Sequence, residues 1–192
     1  GDIHVEQWGQ YVNPKNVTRK SADVDILTTV ANLSRNTADL LIVSSIYNPH
    51  GEKIGETTNN LVLPGDTTAV CEQTLKVINP ELWSTVTPNL YNVVTEIIGE
   101  GKVIDTYNTV TGLRYMDFDP VKGFSLNGEP LKINGVCLHH DAGALGAVVN
   151  RRAIERQLQI MKDMGVNAIR ATHNPPAPEL LDLCDRMGIL VQ

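Results

Sequence analysis

The hydrophobic pattern of this chain changes period once, near Asp119-Pro120, and that change limits the folds open to it. Before it, Val24, Ile26, Thr28 and Val30 alternate with more polar neighbours, as a strand with one buried face requires. Leu40 to Tyr47 is a second run, closed by the turn Asn48-Pro49-His50-Gly51. Leu61-Val62-Leu63 stops at Pro64-Gly65-Asp66. Tyr91, Val93, Thr95 and Ile97 alternate again before Gly99-Glu100-Gly101, and Leu113 to Phe118 reads as the last strand. Strands at spacings of roughly 8–12 residues, with no amphipathic helix among them, predict an immunoglobulin-like β-sandwich over residues 1–118.

After Asp119 the grammar is strand and helix in alternation. Asn127-Gly128 supplies the two positive φ angles of a type I′ turn between Phe124-Ser125-Leu126 and Leu131-Lys132-Ile133. Gly135 to Leu138 is a short apolar strand. Asn150 is placed to cap a helix from Arg151 to Met164, with Ile154, Leu158 and Met161 on one face and Gly165 as its stop. Val166 to Ala171 is a strand. Pro178 opens a second helix whose stripe is Leu180, Leu181, Cys184 and Met187, ended by Gly188, and Ile189-Leu190-Val191 begins a further strand. This order predicts parallel strands joined by right-handed crossovers over residues 119–192.

Composition narrows the functions. A net charge of −6, without a long Lys/Arg cluster, argues against a nucleic-acid partner or an anionic membrane surface. No run reaches the roughly 18 apolar residues of a membrane span, and no charged-then-apolar leader opens the chain. Cys71, Cys137 and Cys184 are odd in number and far apart, so they read as buried small hydrophobes rather than a disulfide scaffold or zinc site.

In parallel α/β folds, functional groups collect at the carboxyl ends of strands. His139, His140 and Asp141 follow the first such strand here; Arg170, Thr172, His173 and Asn174 follow the second. Adjacent histidines on a strand point to opposite faces, so His139 and His140 make a poor metal pair. Cys137 and His139 share a face but stand about 6–7 Å apart along a strand, too far for a thiol–imidazole hydrogen bond. Arg170 either pairs with a buried carboxylate or faces a ligand. Arg151, Arg152, Glu155, Arg156, Lys162 and Asp163 read as a solvated helix face, and Trp8 and Trp83 as packing residues. The paired carboxylates of a glycosidase are not visible.

The residues that carry a resemblance are Asn167-Ala168-Ile169-Arg170-Ala171-Thr172-His173-Asn174-Pro175, followed by Leu180-Leu181, Asp185, Gly188 and Ile189-Leu190-Val191. Lys132-Ile133-Asn134-Gly135-Val136-Cys137-Leu138-His139-His140-Asp141 precedes them, and Leu82-Trp83-Ser84 with Pro88-Asn89-Leu90-Tyr91 stands in the sandwich half. Together these resemble glycoside hydrolase family 2, and His-His-Asp before Gly143-Ala144-Leu145-Gly146 looks most like its β-galactosidase-type members. The resemblance implies a multidomain chain, an immunoglobulin-like sandwich and then the first three strands and two helices of a (β/α)8 barrel. It implies a retaining β-glycosidase acting on terminal β-D-galactosides, with glucuronidase- and mannosidase-type members as alternatives. A non-catalytic sandwich module for protein or glycan contacts is the reading from another class.

By the same resemblance His139 and His173 line the subsite for the terminal sugar, Arg170 supports its floor, and Asp141 and Asn174 are further pocket residues. Asn174 and Leu138 depart from the aromatic and basic residues that many members carry there, which bears on the glycone. The family's acid/base and nucleophile glutamates fall beyond Gln192, so the resemblance implies no catalytic residue and no activity within these residues alone. A divalent cation such as Mg belongs to the galactosidase relatives, with ligands outside this chain. An unclosed barrel edge predicts self-association. Periplasmic or secreted placement fits a glycan-degrading parent, with any leader upstream.

Overall fold

The computed structural model describes all 192 residues. Its contacts divide the chain into two units: residues 1–81 with 90–113, and residues 82–89 with 114–192.

The first unit is a sandwich of seven strands. They are β1 (Ile3–Lys15), β2 (Ser21–Asn32), β3 (Ala38–Tyr47), β4 (Lys53–Leu63), β5 (Thr67–Ile78), β6 (Tyr91–Gly99) and β7 (Lys102–Thr111). One antiparallel sheet runs β1-β2-β5 and the other β4-β3-β6-β7. The alternation read at Val24, Ile26, Thr28 and Val30 is the buried face of β2, each of them fully buried. Val5, Val30, Leu40, Ile42, Leu63 and Ile97 interlock as one cluster; burial stabilises by roughly 1.5–3 kcal/mol for each large side chain.

The middle of that core is polar and crossed by a hydrogen-bond chain, with the Gln10 side-chain oxygen at its head left without a partner. Gln10 Nε2 lies 2.6 Å from Thr95 Oγ1, Thr95 Oγ1 lies 2.6 Å from Ser44 Oγ, and Ser44 Oγ lies 2.6 Å from Gln73 Oε1. Gln73 Nε2 then donates to the Ile42 carbonyl at 3.1 Å. That last bond orders the chain. Because the Gln73 amide donates to a carbonyl, its oxygen accepts from Ser44, Ser44 accepts from Thr95, and Thr95 accepts from Gln10. Gln10 and Gln73 belong to one sheet and Ser44 and Thr95 to the other, so the chain stitches the sandwich across its middle.

β1 breaks its register between Val5 and Gln10. Trp8 sits in that irregularity with φ 58° and its side chain 77% exposed, so it is not the packing residue its type predicts. The bulge takes residue 8 out of the alternation that buries Val5 and Gln10 on either side.

The second unit holds β8 (Met116–Asp119), β9 (Gly123–Leu126), β10 (Glu129–Pro130), β11 (Gly135–Leu138), α1 (Arg151–Asp163), β12 (Ala168–Ala171), α2 (Pro178–Met187) and β13 (Leu190–Val191). The stretch expected as the last sandwich strand instead forms β8, which pairs with β9, Phe118 opposite Phe124. Asn127 and Gly128 both have positive φ and turn β9 into β10. β11, β12 and β13 form a parallel sheet in that order. With α1 and α2 as the crossovers, this is the parallel strand–helix alternation expected over residues 119–192.

Both helices begin and end where their caps dictate. Asn150 accepts from the Ala153 amide at the head of α1, and Gly165 follows its end with positive φ. α2 opens on Pro178 and closes on Gly188, whose φ of 68° is left-handed. Leu158, Ile169, Leu180, Leu183, Cys184 and Ile189 form the core between helices and sheet. Leu183, not Leu181, completes the α2 stripe; Leu181 is 41% exposed, about 100° round the helix from Leu180.

Residues 82–89 pack into this second unit. Trp83 is buried, its indole N–H donates to the Asp185 carbonyl at 2.7 Å, and the Arg114 guanidinium lies 4.7 Å over its ring. Asn127 Nδ2 holds the Trp83 carbonyl at 2.9 Å. Lys162, expected on a solvated face, donates to the Thr85 and Met187 carbonyls instead. The last of these satisfies one of the open carbonyls at the end of α2. Gly188 also meets this segment: a Cβ there would stand 2.6 Å from the Thr85 carbonyl oxygen.

Candidate functional site

The parallel ladder brings the two predicted strand ends together. β11 and β12 pair Gly135 with Ala168, Cys137 with Arg170 and Leu138 with Ala171. Val136, Leu138 and Ile169 pack toward the helices, so the alternate residues Cys137, His139 and Arg170 lie on the other face, toward the barrel interior. The ladder ends as the Thr172 amide donates to the Leu138 carbonyl at 2.9 Å. One residue further on, His139 and His173 meet with ring centroids 5.9 Å apart in an edge-to-face arrangement. Residues 34 positions apart in sequence thus share one face at the carboxyl ends of neighbouring strands.

His173 reaches that place at a conformational cost. Its φ is 69°, a left-handed value that a β-carbon disfavours by roughly 1–2 kcal/mol. The turn leads directly into Asn174-Pro175-Pro176, where two prolines fix the backbone of the exit. Asn174 is exposed in this turn. Arg170 is exposed on the interior face and lines an open space of 500 Å³ with Phe118, Phe124, Ile133 and Cys137. The buried-carboxylate partner considered for Arg170 does not occur: none of the ion pairs involves it. Cys137 is exposed there too, unlike the buried Cys71 and Cys184.

Asp141 opens a compact loop. Its Oδ1 accepts from the Gly143 amide at 2.8 Å, its own amide bonds back to the His139 carbonyl at 2.8 Å, and the Ala142 amide reaches the Gly146 carbonyl at 2.8 Å. From α1, Gln157 Nε2 donates to the Asp141 carbonyl at 2.9 Å. His140 lines a recess together with His139, Asp141, Ile154, Gln157 and Leu180. Gln157 carries no sequence signal, since a glutamine on a polar helix face reads as solvated; only the fold shows what it touches.

His139 and His173 thus meet at the strand ends, while Arg170 lines the open space beside Phe118 and Phe124 and Asp141 lines the recess beside Gln157. His, Cys, Asp and Glu side chains nowhere gather in a group of three that could hold a metal ion.

Comparison with known proteins agrees in both units. Residues 3–114 match the model of glycosyl hydrolases family 2, and residues 120–192 match that family's TIM barrel domain. A β-galactosidase of Bacteroides ovatus, BoGH2A, is 48% identical over 191 residues, covering 100% of this chain and 22% of that protein. A β-glucuronidase of Bacteroides fragilis is 35% identical over 161 residues, covering 83% of this chain and 23% of that protein. The crystal structure of a family 2 member from Bacteroides cellulosilyticus superposes with a TM-score of 0.94 at 35% identity, covering 100% of this chain and 26% of that one. This chain therefore spans about a quarter of the length of the proteins it resembles. With sandwich and barrel segments both matched, the chain belongs to glycosyl hydrolases family 2.

Proposed function

We propose that these residues supply the sandwich and the glycone-binding start of the barrel to a retaining β-glycosidase that removes terminal β-D-galactosyl groups. The observation that carries the reading is the meeting of His139 and His173 over the face that presents Arg170. Placed there, the imidazoles hydrogen-bond ring hydroxyls, Arg170 supports the floor, and Asp141 and Asn174 complete the rim. The carboxylic acid that protonates the leaving oxygen and the glutamate that forms the glycosyl-enzyme come from later barrel strands. The 48% identity to a β-galactosidase supports galactose as the glycone. The 35% identity to a β-glucuronidase, with Arg170 exposed where a sugar carboxylate could meet it, supports glucuronide as the second reading.

The test uses p-nitrophenyl β-D-galactoside and β-D-glucuronide with two proteins: these 192 residues, and a polypeptide that continues them through the whole barrel. The longer protein turns over the galactoside in preference, and the 192-residue chain turns over neither. His139→Ala and His173→Ala in the longer protein each lower kcat/KM by roughly a hundredfold, the range for loss of hydrogen bonds that strengthen in the transition state. Preference for the glucuronide would replace the first reading with the second. Turnover by the 192-residue chain at the longer protein's rate would remove both.

A further inference from the structure

We infer that Gln157 is a positioning residue for the sugar subsite, holding in place the loop that presents His139 and Asp141. The inference rests on the glycosidase reading for its functional consequence, and on geometry alone for the positioning itself.

β11 stops at Leu138, so the ladder that aligns its backbone with β12 gives out one residue before His139. Beyond that point residues 139–146 are bonded mainly to one another. The Asp141 amide meets the His139 carbonyl, the Gly143 amide meets the Asp141 carboxylate, and the Ala142 amide meets the Gly146 carbonyl. Internal bonds of this kind make the loop stiff without fixing where it stands. A stiff loop tied to the fold only at Leu138 and, through residues 147–149, at Asn150 can shift as a body, and each ångström of shift moves His139 relative to His173.

Gln157 adds a fixed point between those two ends. Its Nε2 donates to the Asp141 carbonyl at 2.9 Å, two residues past His139 and across the loop from the strand end. The helix that carries it is itself held. Asn150 caps its first turn, and the next residue along, Leu158, is fully buried in the core between helices and sheet. Burial of Leu158 sets the rotation of α1 about its axis, and that rotation aims the Gln157 carboxamide at the loop. The acceptor is a carbonyl, so the side chain must donate. A glutamate of the same shape offers only oxygens, leucine offers nothing, and lysine offers a donor of similar reach.

Three forms of the 192-residue chain separate positioning from mere packing: wild type, Gln157→Leu and Gln157→Lys. Leucine keeps the helix propensity of the position, so the fold survives its introduction. Imidazole NMR signals of His139 and His173 move in the leucine form and stay near their wild-type positions in the lysine form. His4 and His50 lie in the other unit and serve as the unmoved reference. Unmoved His139 and His173 signals in the leucine form, or equal displacement in the lysine form, overturn the inference.

A second arm reads the sugar. In the polypeptide continued through the barrel, Gln157→Leu lowers kcat/KM for the aryl β-galactoside about tenfold, and lysine restores it. An active wild type with unchanged kcat/KM in the leucine form also overturns the inference. A wild type without turnover of either glycoside counts against the glycosidase reading instead, and the imidazole signals then decide the positioning by themselves.

Discussion

Replacing Gln73 by glutamate changes one atom type in the middle of the sandwich and removes the donor that ends its buried hydrogen-bond chain. Gln73 is 5% exposed, and its Nε2 faces the carbonyl oxygens of Ile42 at 3.1 Å and Thr57 at 3.4 Å and the Asn59 side-chain oxygen at 3.4 Å. A carboxylate oxygen in that place meets three acceptors and no donor. Losing the donor costs roughly 1–3 kcal/mol. Burial adds more, because a carboxyl group enclosed this way has its pKa raised by about 3 units, or ~4 kcal/mol once ionised. The sum of roughly 5–7 kcal/mol rivals the ~5–15 kcal/mol that holds a domain together.

The sign of the pH dependence follows from the raised folded-state pKa. The ionisation penalty is absent below the unfolded value of about 4.3 and grows by ~1.4 kcal/mol per pH unit until the folded value is passed. Urea unfolding of the sandwich at pH 4.0, 5.0, 6.0 and 7.5, variant against wild type, measures it. The variant is mildly destabilised in acid and largely unfolded at the highest pH. Coincident midpoints at pH 7.5, or a deficit that does not change with pH, would falsify the proton order assigned to the chain Gln10, Thr95, Ser44, Gln73.

Two further outcomes test the second unit. Gly188→Ala adds a β-carbon 2.6 Å from the Thr85 carbonyl oxygen at a left-handed residue, whereas Gly165→Ala is left-handed with nothing within 4 Å. By urea unfolding the first costs at least ~2 kcal/mol more than the second, and equal costs would show that residues 82–89 do not bear on α2. Burial pushes the Asp185 carboxyl above its ordinary 3.8, with the Arg114 charge pulling the other way. Its contribution is therefore fully present below pH 3.8 and is lost as pH rises through the folded value. Asp185→Asn removes that loss, so the variant gains stability over wild type as pH climbs from 3.8 upward in thermal melts; a widening deficit would mean that the Arg114 attraction dominates.

Local chemistry made much of this legible in the sequence. Asn150 and Gly165 bracket α1 because a cap and a stop act on their own neighbours, and Asn127-Gly128 turns its hairpin for the same reason. Alternation also marked the strands, but it does not say which strand pairs with which. Met116–Asp119 is a strand as the pattern shows, and its partner β9 is a matter of tertiary choice. Trp8 defied its residue type because a bulge resets the period. Within the site, His139 and His173 were found one strand end at a time; their meeting depends on the register that sets Cys137 opposite Arg170. Gln157 and Lys162 left no trace in the sequence, because their acceptors are backbone carbonyls whose positions only the fold supplies.

The chain leaves its first unit at Glu81, returns at Leu90 and leaves again after Leu113. A family that evolves or is engineered by trading barrels between sandwiches therefore cannot cut once. A chimera joined at Asp119 carries the Trp83 and Thr85 of one parent against the Asp185, Lys162 and Gly188 of another, while their hydrogen bonds and close approach were fitted as a set. Grafting residues 82–89 together with 114–192 keeps that set intact, so the smallest transferable block of this protein is discontinuous.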